Sequence, residues 1–213
     1  MTSRDAILSR IRRIATGDDL FDIIEPEWKK DELVPVDEDL TSEFQKQIEK
    51  VSGICYKIDS PDQLAEKIEF HVKEEDIDGV ACSSEIISSI TGIQYKASAD
   101  NEDAFVVPCE ALIASTGSVL VSAVSGGNRR NHVFPPVLFV IASNSQLVPY
   151  LKQGIEVLKS KYNKLPSMVS LITGPSRTAD IEKTLVLGAH GPKKLIVFLL
   201  PENEMFLNHS KQA

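Results

Sequence analysis

The stretches PPVLFVIAS (residues 135–143) and KKLIVFLLP (residues 193–201) run apolar with no alternation of polar positions. A strand with one wet face alternates, whereas a strand covered on both faces does not. Strands of the second kind belong to sheets that are mostly parallel, with cover on each side. This chain must therefore supply cover for both faces of whatever sheet these two strands join.

The remaining segments supply it. LTSEFQKQIEKV (40–51) has helical spacing, with Leu40, Phe44, Ile48 and Val51 on one side, and Gly53 ends it. ICYKI (54–58) reads as a short strand. SPDQLAEKIEFHV (60–72) opens with a capping box, with Ser60 at the N-cap, Pro61 at N1 and Gln63 at N3. GVACS (79–83) is the next strand, and a short helix is expected around 86–90. Residues 103–123 read as two strands meeting at a tight turn. Residues 145–162 read as a helix that tolerates Pro149 only in its first turn. SMVSLITG (167–174), TADIEKTLVLG (178–188) and the run from 193 then give strand, helix, strand. Strands alternating with helical segments predict an α/β fold, a mostly parallel open sheet with helices on both faces. The expected division is an N-terminal helix and acidic arm over 1–38, the α/β domain over 39–201 and a tail over 202–213. The arm carries ten acidic residues between 18 and 39, together with Phe21, Ile23, Ile24 and Trp28.

Charge and composition narrow the function. A net charge of −8 argues against nonspecific nucleic-acid binding and against an anionic membrane surface. No apolar run approaches the roughly 18 residues of a membrane span. The opening MTSRDAILSRIRRIA has no apolar core of a secretory signal, so a cytoplasmic location is expected. Cys55, Cys82 and Cys109 are widely spaced beside apolar residues, the pattern of buried free thiols. No metal site and no cofactor is expected from this chain.

Three turns could carry chemistry. The first is Gly174, Pro175, Ser176, Arg177 and Thr178, expected beyond a strand's carboxyl end and ahead of a helix N-terminus. Arg177 offers a bidentate donor, and Ser176 and Thr178 offer hydroxyls, a set suited to a carboxylate or phosphate. Against this, Asp180 and Glu182 sit in the first turn of the expected helix. There they suit its dipole, can pair with Arg177 and would repel an anion. Pattern alone leaves a binding site and a plain corner level. The second turn holds Thr116, Gly117 and Ser118 and reads as a hairpin turn or a donor-rich wall. The third, GGNRRNHVFPP (126–136), holds Arg129, Arg130 and His132, a basic cluster in an acidic chain. No nucleophile motif and no metal-ligand spacing is present.

The stretches ALIASTGSVLV, PPVLFVIAS and GPSRTADIEKTLVLGAHGPKKLIVFLL together resemble the LUD-domain proteins, the lactate-utilisation protein C group in particular. SRDAILSRIRRI resembles that group's opening helix. The likeness covers roughly residues 1–15 and 40–201. It implies a fold like that of glucosamine-6-phosphate isomerase, ribose-5-phosphate isomerase and the CoA-transferases. It also implies a part in oxidising L-lactate to pyruvate beside iron–sulfur partner subunits, with a small organic anion as ligand. Family-like positions fall at Thr116, Gly117, Gly174, Ser176, Arg177, Thr178, Asp180, Glu182, Gly188 and Gly191. Many relatives carry a histidine two residues after the Pro-Pro pair, where this chain has Leu138. The resemblance tips the Arg177 turn toward a site. The rival reading is a stand-alone isomerase or CoA-transferase-like enzyme acting on a sugar phosphate or acyl-CoA, and a third is a non-catalytic assembly factor. The sequence leaves a homo-oligomer open.

Overall fold

The computed structural model describes residues 4, 5, 7–9, 35–179, 185–187 and 191–201. The chain divides into two units, Met1–Pro35 and Val36–Ala213. In the first, residues 4, 5 and 7–9 are helical, as the opening periodicity requires. Most of the acidic arm and the tail lie outside the described residues.

The second unit is built on a six-stranded sheet. Its strands are β1 (Ile54–Lys57), β2 (Val80–Cys82), β3 (Gln94–Tyr95), β4 (Ala104–Pro108), β7 (Val137–Ser143) and β12 (Lys194–Leu200). The order is β1-β12-β7-β4-β2-β3, and every pairing is parallel. The two unalternating runs are the adjacent central strands β7 and β12, in register from Val137↔Lys194 to Ser143↔Leu200. Their lack of alternation follows from cover on both faces. On one face, Phe139, Ile141, Ile196 and Phe198 pack with Leu64 and Ile68 of helix α2 (Pro61–Glu74) and Ile87 of α3 (Glu85–Thr91). On the other, Leu138, Val140, Leu195 and Val197 pack with Phe44 and Ile48 of α1 (Leu40–Lys50). The cap of α2 forms as expected, with Gln63 N–H donating to Ser60 Oγ at 3.2 Å. The return bond differs by one position, since Gln63 Oε1 accepts from the N–H of Asp59 at 2.7 Å.

Three segments depart from the sequence reading. Residues 103–123 form three strands rather than two. After Pro108 the chain leaves the parallel sheet and enters a second, mixed sheet through β5 (Ala111–Ile113) and β6 (Ser118–Ser122). That sheet runs β8-β5-β6-β9, with β8 at Leu147–Val148 and β9 at Val169–Ile172. Its Leu112, Val119 and Val121 join the α1 side of the core, and its Ala111, Ile113 and Leu120 pack on Leu158 of α4 (Leu151–Lys161). The expected helix from 145 thus begins later, at Leu151, because Leu147 and Val148 pair with β5 and Pro149 precedes the helix. Finally, the segment expected as a helix over 178–188 is extended where it is described. β10 (Arg177–Ala179) and β11 (Leu185–Leu187) pair antiparallel, with Thr178 opposite Val186. β-branched residues at facing positions suit a strand pair better than a helix surface.

Two glycine turns dock on the end of α1. Gly117 has φ +62°, and a Cβ there would lie 2.2 Å from the backbone N of Ile48. Gly174 has φ +72°, and its Cβ would lie 2.2 Å from the carbonyl oxygen of Val51. Gly92 shares the left-handed φ at +73° but has nothing within 4 Å of a Cβ. It separates the cost of conformation from the cost of close approach. Gly92→Ala should lower unfolding free energy by about 1–2 kcal/mol. Gly117→Ala and Gly174→Ala should each lose clearly more, because α1 must also shift. Urea unfolding of the three variants measures this. Equal losses would mean that the close approach carries no energy.

Candidate functional site

The site is best built from the C-terminus of α1. Ser52 N–H donates to the Glu49 carbonyl at 2.9 Å and Gly53 N–H to the Ile48 carbonyl at 2.9 Å. This is a Schellman ending, in which the left-handed position usually belongs to glycine. Here Ser52 holds it, with φ +65°, and glycine follows one position later. A serine in this conformation costs about 1 kcal/mol more than a glycine. It also places a hydroxyl where glycine has none. Arg177, at the start of β10, donates from its guanidinium to that Ser52 Oγ. The turn leading to Arg177 is fixed by Ser176 N–H donating to the Pro192 carbonyl at 2.8 Å. Gly191 permits the approach, since a Cβ there would lie 3.1 Å from Ser176 Cβ.

Ser52 and Arg177 share a cleft of about 350 Å³. Its cations are Arg177, Lys193 and Lys194, and its apolar wall is Ile54, Pro175 and Leu195. None of the described residues lining it is acidic. Just outside the lining, Glu75 accepts from the Lys194 ammonium. Lys193 is placed by its backbone N–H, which donates to the Pro136 carbonyl at 2.7 Å.

The location corrects the sequence argument. Ile54, Lys194 and Leu195 stand at the amino ends of β1 and β12, not at the carboxyl ends of the parallel strands. The turn does follow the carboxyl end of β9, but β9 belongs to the second sheet. Nor does a helix begin at Arg177, so its turn presents no helix N-terminus and Thr178 is a strand residue rather than a cap. Side-chain cations alone are therefore left to attract an anion there. Asp180, Glu182 and Gly188 lie outside the described residues.

The second turn is brought beside the first, but as support. Thr116 Oγ1 and Ser118 Oγ lie 2.7 Å apart, and Ser118 Oγ lies 2.8 Å from Thr173 Oγ1. These hydroxyls satisfy one another beneath the two glycine turns, and none lines the cleft. Arg130 is not brought to the cleft. It lies in the short 3-10 turn Arg129–His132, with its guanidinium 4.1 Å from the centroid of the Phe134 ring and its Nε donating to the Ala99 carbonyl at 3.4 Å. Leu138 is fully buried near the start of β7, where the side chain is part of the core. Sequence reasoning missed Ser52, Lys193 and Lys194. The Ser-Gly pair at the end of α1 and the Lys-Lys pair before β12 were visible, but only the fold joins them.

Two further buried polar groups stand apart from the cleft. Glu110, whose side chain is fully buried, accepts from Ser122 Oγ at 2.5 Å, Lys161 Nζ at 2.9 Å and Tyr162 Oη at 2.9 Å. Burial alone would raise its carboxyl pKa, but the bonds from Ser122 and Lys161 outweigh it and hold the pKa below the usual range. The group is an ion at neutral pH with both oxygens bonded to donors, which makes it a tie rather than a reagent. His132 is also buried, and neither ring nitrogen has a partner among the described residues. Gly126 lies against its Nε2, with no room for a Cβ. Burial pushes the imidazole down to about 4. The three cysteines are free and buried, as their spacing suggested, and burial raises the thiol of Cys55 to about 12. Among the described residues, no group of three or more His, Cys, Asp and Glu side chains is placed to hold a metal ion. No helix among them is long and apolar enough to cross a membrane.

Fold and cleft together define an α/β protein with a cationic cleft at the amino ends of two parallel strands. Residues 89–200, just over half of the chain, match the LUD domain family, and the chain belongs to it. It is similar to an uncharacterized protein of Neisseria meningitidis serogroup B, with 36% identity over 104 residues, 48% of this chain and 45% of that protein. It is also similar to lactate utilization protein C of Geobacillus thermodenitrificans, with 32% identity over 110 residues, 50% of this chain and 46% of that protein. For lactate utilization protein C of Bacillus velezensis the identity is 34% over 94 residues, 43% and 39% of the two chains. The chain thus spans about half the length, or less, of these curated relatives. A crystal structure of a DUF162 family protein from Deinococcus radiodurans shares the fold, with a TM-score of 0.56 at 16% identity, covering 76% of this chain and 96% of that one. The expected family and fold class both hold.

His132 gives a pH prediction. Its folded pKa of about 4 lies below the unfolded value near 6.5, so the unfolded chain takes up the proton first. The stability tied to the neutral ring is complete above about pH 6.5 and is lost as pH falls toward 4, by roughly 3 kcal/mol at most. Urea midpoints measured from pH 7 to pH 4 should fall, and His132→Leu should flatten that fall. An equal pH slope in wild type and variant would show that His132 is not the group responsible.

Proposed function

We propose that this chain is a lactate-utilisation protein C-like subunit of an L-lactate oxidation system, working beside iron–sulfur partner proteins, and that its cleft binds a small organic anion. The observation that carries the anion reading is the lining itself. Three cations and no described carboxylate face one cleft of a chain whose net charge is −8. A guanidinium held by Ser52 offers a planar fork for a carboxylate. The similarity to proteins named lactate utilization protein C supports the pathway reading. Cys55, Cys82 and Cys109 are each buried separately in the core. In this reading the electron carriers belong to the partner subunits, while this chain holds an anion in position.

Isothermal titration of L-lactate, pyruvate and acetate against wild type, Arg177→Ala and Arg177→Lys tests it. A charge-assisted hydrogen bond contributes about 1.5–3 kcal/mol, so Arg177→Ala should weaken binding roughly tenfold to a hundredfold. Arg177→Lys should recover little, because lysine lacks the fork. Equal affinities in wild type and Arg177→Ala would remove the cleft from the proposal.

A further inference from the structure

Resting on the anion reading above, we infer that the cleft takes the dianionic head of an amphipathic ligand, and that Ser52 holds its strained backbone in order to aim Arg177 at that head. The cleft offers more charge and more room than a molecule as small as lactate uses. One carboxylate is satisfied by one guanidinium fork. Beside Arg177 stand Lys193 and Lys194, and only Lys194 has its ammonium tied to Glu75. A head carrying two negative charges matches Arg177 and Lys193 together. A phosphate monoester is the compact form of such a head.

The volume points the same way. At about 350 Å³ the cleft falls within the range of pockets that enclose ligands with a sizeable body. Ile54, Pro175 and Leu195 give the cleft an apolar share of its lining. A fully hydrated small anion gains nothing from that share, whereas an alkyl or aromatic body does.

Ser52 is the third observation and is independent of the first two. A left-handed non-glycine residue is uncommon, and among the described residues only Ser52 and Asp76 adopt one. The Schellman ending would form with less strain if Ser52 were glycine. What the serine adds is the oxygen that accepts from Arg177. Strained backbone that persists where a relaxed choice exists is a mark of a working position.

The test crosses head charge with body size on the full-length protein. L-lactate, hexanoate, methyl phosphate and hexyl phosphate are titrated against wild type, Arg177→Ala, Lys193→Met and Ser52→Gly. Hexyl phosphate should bind at least about tenfold more tightly than each of the other probes, from one added charged contact or one buried alkyl chain. Lys193→Met should narrow the gap between hexyl phosphate and hexanoate. If L-lactate or hexanoate matches hexyl phosphate while Arg177→Ala still weakens both, the dianion inference falls and the small-anion reading stands. If no probe binds wild type, both fall. Ser52→Gly should raise the melting temperature and weaken hexyl phosphate binding by roughly three- to tenfold, the loss of one hydrogen bond that orients a donor. A variant that is more stable yet binds as tightly as wild type would overturn the role given to Ser52.

Discussion

Gly117 and Gly174 approach the same helix end from two different loops, each with its backbone where a Cβ would strike α1 at 2.2 Å. This double contact sets much of what surrounds the cleft. It brings the β5–β6 turn and the turn after β9 under the last residues of α1, and the Thr116–Ser118–Thr173 hydroxyls link the two turns there. With the turn after β9 fixed at Val51, Arg177 starts β10 within reach of Ser52. Hydroxyls are the right side chains for such a corner. They are small, and each can both donate to and accept from its neighbour.

The parallel sheet was legible because its signal is purely apolar. The runs at β7 and β12 exclude a wet face, and the capped segment from Ser60 supplies the covering helix. The second sheet was not legible, because its strands are short and one of its edges, β8, sits within an apparently helical run. Leu147 and Val148 satisfy a helical pattern as well as a strand pattern, and their pairing with Leu112 and Ile113 decides between the two. The same ambiguity affected 178–188, where apolar spacing suits either state and the opposite strand settles it.

The candidate site was legible in one residue and not in its setting. Arg177 is a clear donor in a glycine turn, and the structure gives it a cleft. Yet the reasoning that singled it out relied on a helix N-terminus that β10 replaces. Its hydrogen-bond partner Ser52 and its cleft neighbour Lys193 are 125 and 16 positions away along the chain. No local pattern joins such positions. Gly117 and Gly174 were read from the sequence as turn glycines of candidate ligand-binding turns, and contact with α1 supplies a reason for glycine at both positions.

Glu110 shows how the two sheets are held at the point where the chain crosses between them. Pro108 ends β4, and β5 starts at Ala111 after a link of two residues, Cys109 and Glu110, both buried. A buried ion needs its partners, because losing one of a buried pair costs several kcal/mol. Lys161 and Tyr162, at the C-terminal end of α4, provide two of them, and Ser122 at the end of β6 provides the third. The three donors come from two elements, and β6 also holds the crossing through its backbone, since the Glu110 N–H donates to the Leu120 carbonyl at 2.7 Å. Gly154 of α4 lies against the Ala111–Ile113–Leu120 face, where a Cβ would come within 2.9 Å of Ile113 Cδ1, so close packing already limits how α4 can sit on it. The carboxylate adds directional contacts from Lys161 and Tyr162 to that packing. It acts at the opposite face of the second sheet from α1, and so α4 and α1 clamp that sheet from two sides, one through an ion pair and the other through glycine contacts.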